Sequence, residues 1–115
     1  PEYVEACFNL GNAYKAAERY DEAIDSYRAA VILEPGKPDA YNNLGNTYNA
    51  MGNPEKAIEA YNKAIEVDPG SASAYNNIGA VYSYMGKNED AISMFTKAIQ
   101  VEPNHALTYN NLAVI

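Results

Sequence analysis

Two side chains in this 115-residue chain are suited to act together as nucleophile and base: Cys7, the only cysteine, and His105, the only histidine. Such a pair works only in hydrogen-bond contact, because the imidazole must take the thiol proton. The periodicity described below sets them about two repeats apart. At roughly 8–10 Å per packed helix, that separation is out of reach. Cys7 is therefore expected to be a packing cysteine, and His105 a solvated residue in a turn. The carboxylates are scattered rather than convergent. Glu18, Asp21, Glu22 and Asp25, and again Glu89 and Asp90, fall near the start of helical stretches, where negative charge suits the helix dipole. A calcium or zinc site needs several ligands meeting at one point, and no glycine-rich phosphate loop is present. The chain is expected to carry no catalytic residues, no metal and no cofactor.

What the sequence does carry is a phrase with a period of 34 residues. It reads Y-N-N-L-G at Tyr41 to Gly45, Y-N-N-I-G at Tyr75 to Gly79 and Y-N-N-L-A at Tyr109 to Ala113, with a fainter C-F-N-L-G at Cys7 to Gly11. Other columns keep the same step: Tyr14, Tyr48 and Tyr82; Ala23, Ala57 and Ala91; Tyr27, Tyr61 and Phe95; Ala30, Ala64 and Ala98. Pro1, Pro35, Pro69 and Pro103 form a closing column. A fixed period of this size marks a stacked-repeat solenoid, in which each unit buries its apolar face against its neighbours.

Within a unit, Tyr41, Leu44, Gly45 and Tyr48 step along one face of a helix, and Ala57, Ile58, Tyr61, Ala64 and Ile65 along one face of a second. Between them Gly52 ends the first helix, Asn53 caps the next and Pro54 opens its first turn. After the second helix, Pro69 stops the chain from continuing and Gly70 permits the turn. Each unit is thus a helical hairpin. The glycines at 11, 45 and 79 and the alanines at 23, 57 and 91 are expected to let two backbones approach, with the aromatic columns filling the space between.

This pattern resembles the tetratricopeptide repeat, whose unit has the form W-x2-L-G-x2-Y, A-x3-F and a closing Pro. The match reads Y-N-N-L-G-N-T-Y at Tyr41 to Tyr48, A-I-E-A-Y at Ala57 to Tyr61, and Pro69. The resemblance covers nearly the whole chain, with units at about 4–37, 38–71 and 72–105 and a partial unit at 106–115, all in a single domain. It implies an all-α fold, a right-handed solenoid of antiparallel helical hairpins. Two departures stand out: Cys7 replaces the large aromatic residue of the first unit, and Glu18 stands where Gly52 and Gly86 stand later.

Net charge is −7, with the deficit spread over all three units. The sequence has no Lys/Arg run, which argues against nucleic acid and against anionic membrane surfaces as partners. A lone cysteine excludes an internal disulfide framework. There is no signal-peptide pattern and no apolar run of membrane-spanning length, so a cytoplasmic location is expected. The chain reads as cut from a longer one, because it opens on a unit-closing proline and stops within a first helix. Leu107, Leu112 and Val114 would then lie on a helix without a partner hairpin.

In the resembled family the first helices line a concave groove where peptides dock. At 100° per residue the positions facing away from the core are Glu5, Asn9, Asn12 and Ala16; then Asp39, Asn43, Asn46 and Ala50; then Ser73, Asn77, Ala80 and Tyr84; then Leu107, Asn111 and Val114. Phe8, Asn42, Asn76 and Asn110 flank them, with Lys15, Asn49 and Ser83 lower down. The groove would therefore carry a ladder of Asn9, Asn43, Asn77 and Asn111. An asparagine offers one acceptor and two donors, so a row of them suits the main chain of an extended peptide whatever its side chains. The arrangement is similar to the tetratricopeptide arm of O-GlcNAc transferases, which holds substrate polypeptides with such a ladder. The alternative is that these are solvated helix residues with no ligand. Phe8 and Tyr84 are candidate aromatic anchors, or equally residues that pack on a neighbouring helix.

Relatives that clamp the Glu-Glu-Val-Asp tails of heat-shock chaperones use lysines and an arginine beside two asparagines. Asn12 and Asn43 match those asparagines, but Phe8, Ser73 and Asn77 occupy the places of the cations, so tight binding of such tails is not expected. The leading expectation is a scaffold that binds a protein or peptide ligand. Self-association through the terminal helix, or a role as the substrate-recruiting arm of a larger enzyme such as a glycosyltransferase, are the alternatives.

Overall fold

The computed structural model describes residues 2–114, and of residues 106, 107, 113 and 114 the backbone alone. Among the described residues there are seven helices and no strand: α1 (Glu2–Ala16), α2 (Tyr20–Leu33), α3 (Pro38–Ala50), α4 (Pro54–Val67), α5 (Ala72–Tyr84), α6 (Asn88–Val101) and α7 (Ala106–Val114). Helices α1 and α2, α3 and α4, and α5 and α6 pair as hairpins, and each hairpin stacks on the next. The result is an all-helical solenoid measuring 39 × 26 × 20 Å.

The same turn ends α1, α3 and α5. The N–H of Arg19, Asn53 and Lys87 donates back to the carbonyl of Tyr14, Tyr48 and Tyr82 at 2.8, 2.9 and 2.9 Å. That closure needs a left-handed residue one position earlier. Gly52 and Gly86 supply it at φ of 81° and 80°, whereas the first unit forces Glu18 to φ 60°. A side chain there costs about 1–2 kcal/mol relative to glycine. Helix α4 starts as its sequence suggests, with Pro54 in the first turn and the Asn53 side chain accepting from the Lys56 N–H at 3.4 Å. Arg19 and Lys87, in the equivalent positions, make no such cap. The turn after α4 differs from expectation. Gly70 takes no positive φ; instead Asp68 Oδ1 accepts from its N–H at 3.2 Å, a side-chain turn that does not require glycine.

The aromatic column forms the interior. Tyr27, Tyr61 and Phe95 are fully buried, beside Ala23, Ala57 and Ala91 at 0% exposure. The glycine column serves these rings rather than a close backbone approach. A Cβ on Gly11 would stand 2.6 Å from the Tyr27 ring, and one on Gly79 would stand 2.5 Å from the Phe95 ring. Gly45 meets Tyr61 in the same way. Each aromatic residue of a second helix thus sits in a notch that only glycine leaves open. Covering falls off along the isoleucine column: Ile24 is buried, Ile58 is half-buried and Ile92 is exposed.

Candidate functional site

Because the interior rings fix how each hairpin closes, they also fix which face of α1, α3, α5 and α7 turns away from the core. Of the asparagines expected on that face, most are not free side chains in solvent. The Tyr27 hydroxyl donates to Asn12 Oδ1, and the Tyr61 hydroxyl donates to Asn46 Oδ1. Asn43 Nδ2 donates to its own helix at the Asp39 carbonyl, 3.0 Å away, and the buried Thr47 hydroxyl donates to the Asn43 carbonyl at 2.8 Å. Asn111 Nδ2 reaches across to the next hairpin and donates to Asn76 Oδ1 at 2.9 Å, with Asn76 only 2% exposed.

Asn42, the counterpart of Asn76 one unit earlier, has a buried Oδ1 without a partner among the described residues. Asn9 and Asn77 make no side-chain hydrogen bond among the described residues, and Asn49 and Asn110 are exposed. The ladder is thus partly an internal network. Asn12, Asn43, Asn46, Asn76 and Asn111 each spend part of their hydrogen-bonding capacity on the fold. Leu107 and Val114, also placed on this face by the sequence pattern, lie outside the residues whose side chains are described.

Burial also sets the electrostatics of the interior. Burial pushes the Tyr61 phenol up to about 12, and pushes Tyr27 in the same direction. The third unit has Phe95 and Ala80 in place of the tyrosine and the asparagine. Hydroxyl and acceptor are therefore lost together, a pairing that the repeat alignment contains but that is visible only once the 15-residue separation is known to be a contact.

Of the two candidate anchors, Tyr84 projects from the end of α5 and is 86% exposed. Phe8 is half-buried and stands edge-on to Tyr27, with ring centroids 5.9 Å apart. It also lines a cleft of about 540 Å³ between α1, α2 and α3, which carries Glu2, Glu5, Glu34 and Asp39 and a single cation, Lys37, paired with Glu34 at 3.6 Å. This cleft is acidic.

Cys7 is half-buried on α1. His105 departs from the expected solvated turn residue. Its side chain is only 16% exposed, and its Nδ1 lies 2.7 Å from the hydroxyl of buried Thr108. Its carbonyl accepts from the Thr108 N–H at 3.1 Å, so the residue caps α7, and its ring is held between Thr108 and Glu102. Among the described residues, no three His, Cys, Asp or Glu side chains converge as a metal site. No helix among them is long and apolar enough to cross a membrane.

Notched hairpins of 34 residues, each stacked on the next, define a class, and comparison with known proteins agrees. The tetratricopeptide repeat family matches at residues 38–71 and 72–105, and a second model of the same repeat at 11–52. The chain belongs to the tetratricopeptide repeat family. Among solved structures it is similar to MamA, at 39% identity over 90% of this chain, with a TM-score of 0.82. It is also similar to the Sgt2 domain from Aspergillus fumigatus, at 30% identity over 99% of this chain and 76% of that one, with a TM-score of 0.88. The first repeat domain of Spaghetti (RPAP3), solved bound to the HSP90 peptide SRMEEVD, is 26% identical over 98% of this chain and 90% of that one, with a TM-score of 0.87. The chain spans 60% of the MamA chain that it matches. Among curated proteins there is no significant match.

Proposed function

We propose that this chain is a protein-interaction module that holds an extended peptide along its asparagine-lined concave face, without chemistry of its own. The observation that carries the reading is the orientation of Asn12 and Asn46. Each has its carbonyl engaged by a buried tyrosine hydroxyl, which leaves the amide NH2 to donate elsewhere. Two fixed donors, with Asn9 and Asn77 beside them, suit the carbonyls of an extended main chain. A peptide-bound relative, the Spaghetti domain, supports the same use of the fold.

The charge of the face sets the ligand class. Glu5 and Asp39 border the groove, and Phe8, Ser73 and Asn77 stand where a carboxylate tail would need cations. The favoured ligand is therefore neutral or mildly basic. The net charge of −7 makes nucleic acid a poor partner.

The test is a peptide array followed by titration of the strongest binders against wild type and an Asn9→Ala/Asn77→Ala variant. Neither residue makes an internal side-chain bond, so melting should be unchanged while affinity falls by about five-fold or more. Unchanged affinity would remove the groove reading. In the same titration SRMEEVD should show no binding to the asparagine face tighter than about 1 mM; micromolar affinity that the Asn9→Ala/Asn77→Ala variant abolishes would overturn the charge argument.

A further inference from the structure

On the side of α3 opposite the ladder, the seam between the first and second hairpins opens into a cleft of about 290 Å³. Its wall carries Arg28, Lys56 and Lys63, three of the eight basic residues in the chain. Tyr48 organises two of them. Arg28 Nη2 donates to the phenol oxygen at 2.8 Å, and Lys56 Nζ stands 5.7 Å from the ring centroid. A phenol oxygen and a ring face orient positive charge without neutralising it. Among the described residues none of the three cations forms an ion pair. Glu59 is the one acidic residue in the lining, and Val31 and Leu44 supply an apolar floor.

The next seam shows that stacking does not require this charge. One period on, Tyr48 is repeated as Tyr82 and Leu44 as Ile78, but Arg28 becomes Asn62 and Lys56 becomes Asp90. Only Lys63 keeps its charge, as Lys97. Helices α4 and α5 nonetheless pack as α2 and α3 do. The packing residues repeat and the cations do not, so the first seam concentrates positive charge beyond what the fold needs, on a chain whose net charge is −7.

We infer that this cleft is a second docking site, taking an acidic peptide segment in which an apolar residue is flanked by carboxylates. The apolar side chain would lie on Val31 and Leu44. The flanking carboxylates would pair with Arg28 on one side and with Lys56 and Lys63 on the other, bonds that strengthen when both partners are charged. Three cations on an acidic molecule make a local attraction rather than a track for a polyphosphate chain. The site is separate from the asparagine face and stands or falls without it.

Fluorescence anisotropy with fluorescein-labelled SDELEDS, and with its neutral counterpart SNQLQNS, tests the inference. Wild type should bind the acidic peptide with an affinity that falls as salt rises, and the neutral peptide about ten-fold more weakly or worse. R28N/K56D, which installs the residues of the next seam, should weaken acidic-peptide binding by about ten-fold or more. Exposed Lys63→Glu provides an independent check should the double variant fold poorly, and should act in the same direction. The Asn9→Ala/Asn77→Ala variant should bind SDELEDS as wild type does. Equal binding by R28N/K56D, equal binding of the neutral peptide, no binding up to about 1 mM, or loss through the asparagine variant would each overturn the site. Light scattering should show a monomer. A dimer abolished by R28N/K56D would assign the cleft to a second copy of the chain and overturn the peptide as its occupant.

Discussion

The second and third hairpins share one backbone and differ in what they enclose. In the second, a buried phenol reaches across to Asn46 on α3. In the third, Phe95 fills the same notch, over Gly79 instead of Gly45, and Ala80 replaces the asparagine. A buried hydroxyl without a partner costs about 1–3 kcal/mol, so the two changes compensate each other. An asparagine in the repeated column is thus not by itself a ligand contact. At Asn12 and Asn46 its first task is to satisfy a hydroxyl, and any contact with a peptide falls to the amide that remains.

The comparison can be broken most directly by removing the acceptor alone. Asn46→Ala should destabilise the protein by about 2 kcal/mol in denaturant titration, while Asn46→Ala with Tyr61→Phe, a copy of the third hairpin, should lie close to wild type. If the single variant were as stable as the double, solvent would be satisfying the hydroxyl and the pairing would carry no energy.

A smaller effect appears at high pH. The native Tyr61 phenol, pushed up to about 12, holds its proton more tightly than an unfolded tyrosine does. Below about pH 10 both states are protonated and stability is fully present. Between about pH 10 and the native value only the unfolded state ionises, so stability falls, by about 1.4 kcal/mol at pH 11. Urea titrations of wild type and Tyr61→Phe at both ends of that window should show a smaller loss of stability in the variant; an equal loss would refute the assignment. Tyr27 adds to the fall in the same direction, and Phe95 contributes nothing.

The smallest change concerns the turns. Glu18→Gly gives the first hairpin the residue that its successors have, and should raise stability by about 1 kcal/mol. A loss of stability would mean that the side chain, not the backbone, sets that turn.

The period made the helical hairpins legible, because the apolar columns repeat and every turn but the first, at Ala17 to Arg19, carries a glycine, a proline or an asparagine. Other features were legible only in part. The role of the Gly column depends on which ring faces it across the hairpin, a distance that no local pattern contains. His105 reads as a polar residue in a turn, and becomes a half-buried cap because its ring meets the hydroxyl of buried Thr108. The asparagine ladder was visible as a column, but the bond from Asn111 to Asn76 joins residues 35 apart, one more than the period. The cations of the second cleft lie on α2 and α4, so no run in the sequence announces them. They meet only when hairpins stack.

That stacking has a kinetic side. Helices pack chiefly on their neighbours in chain order, and the more distant pairs are α1 with α3 and α5 with α7. No long loop must close before contacts form, so the search for the native topology is short and its rate belongs with that of helical bundles. Each hairpin is able to form first and to template the next, so the growing chain acquires structure from either direction.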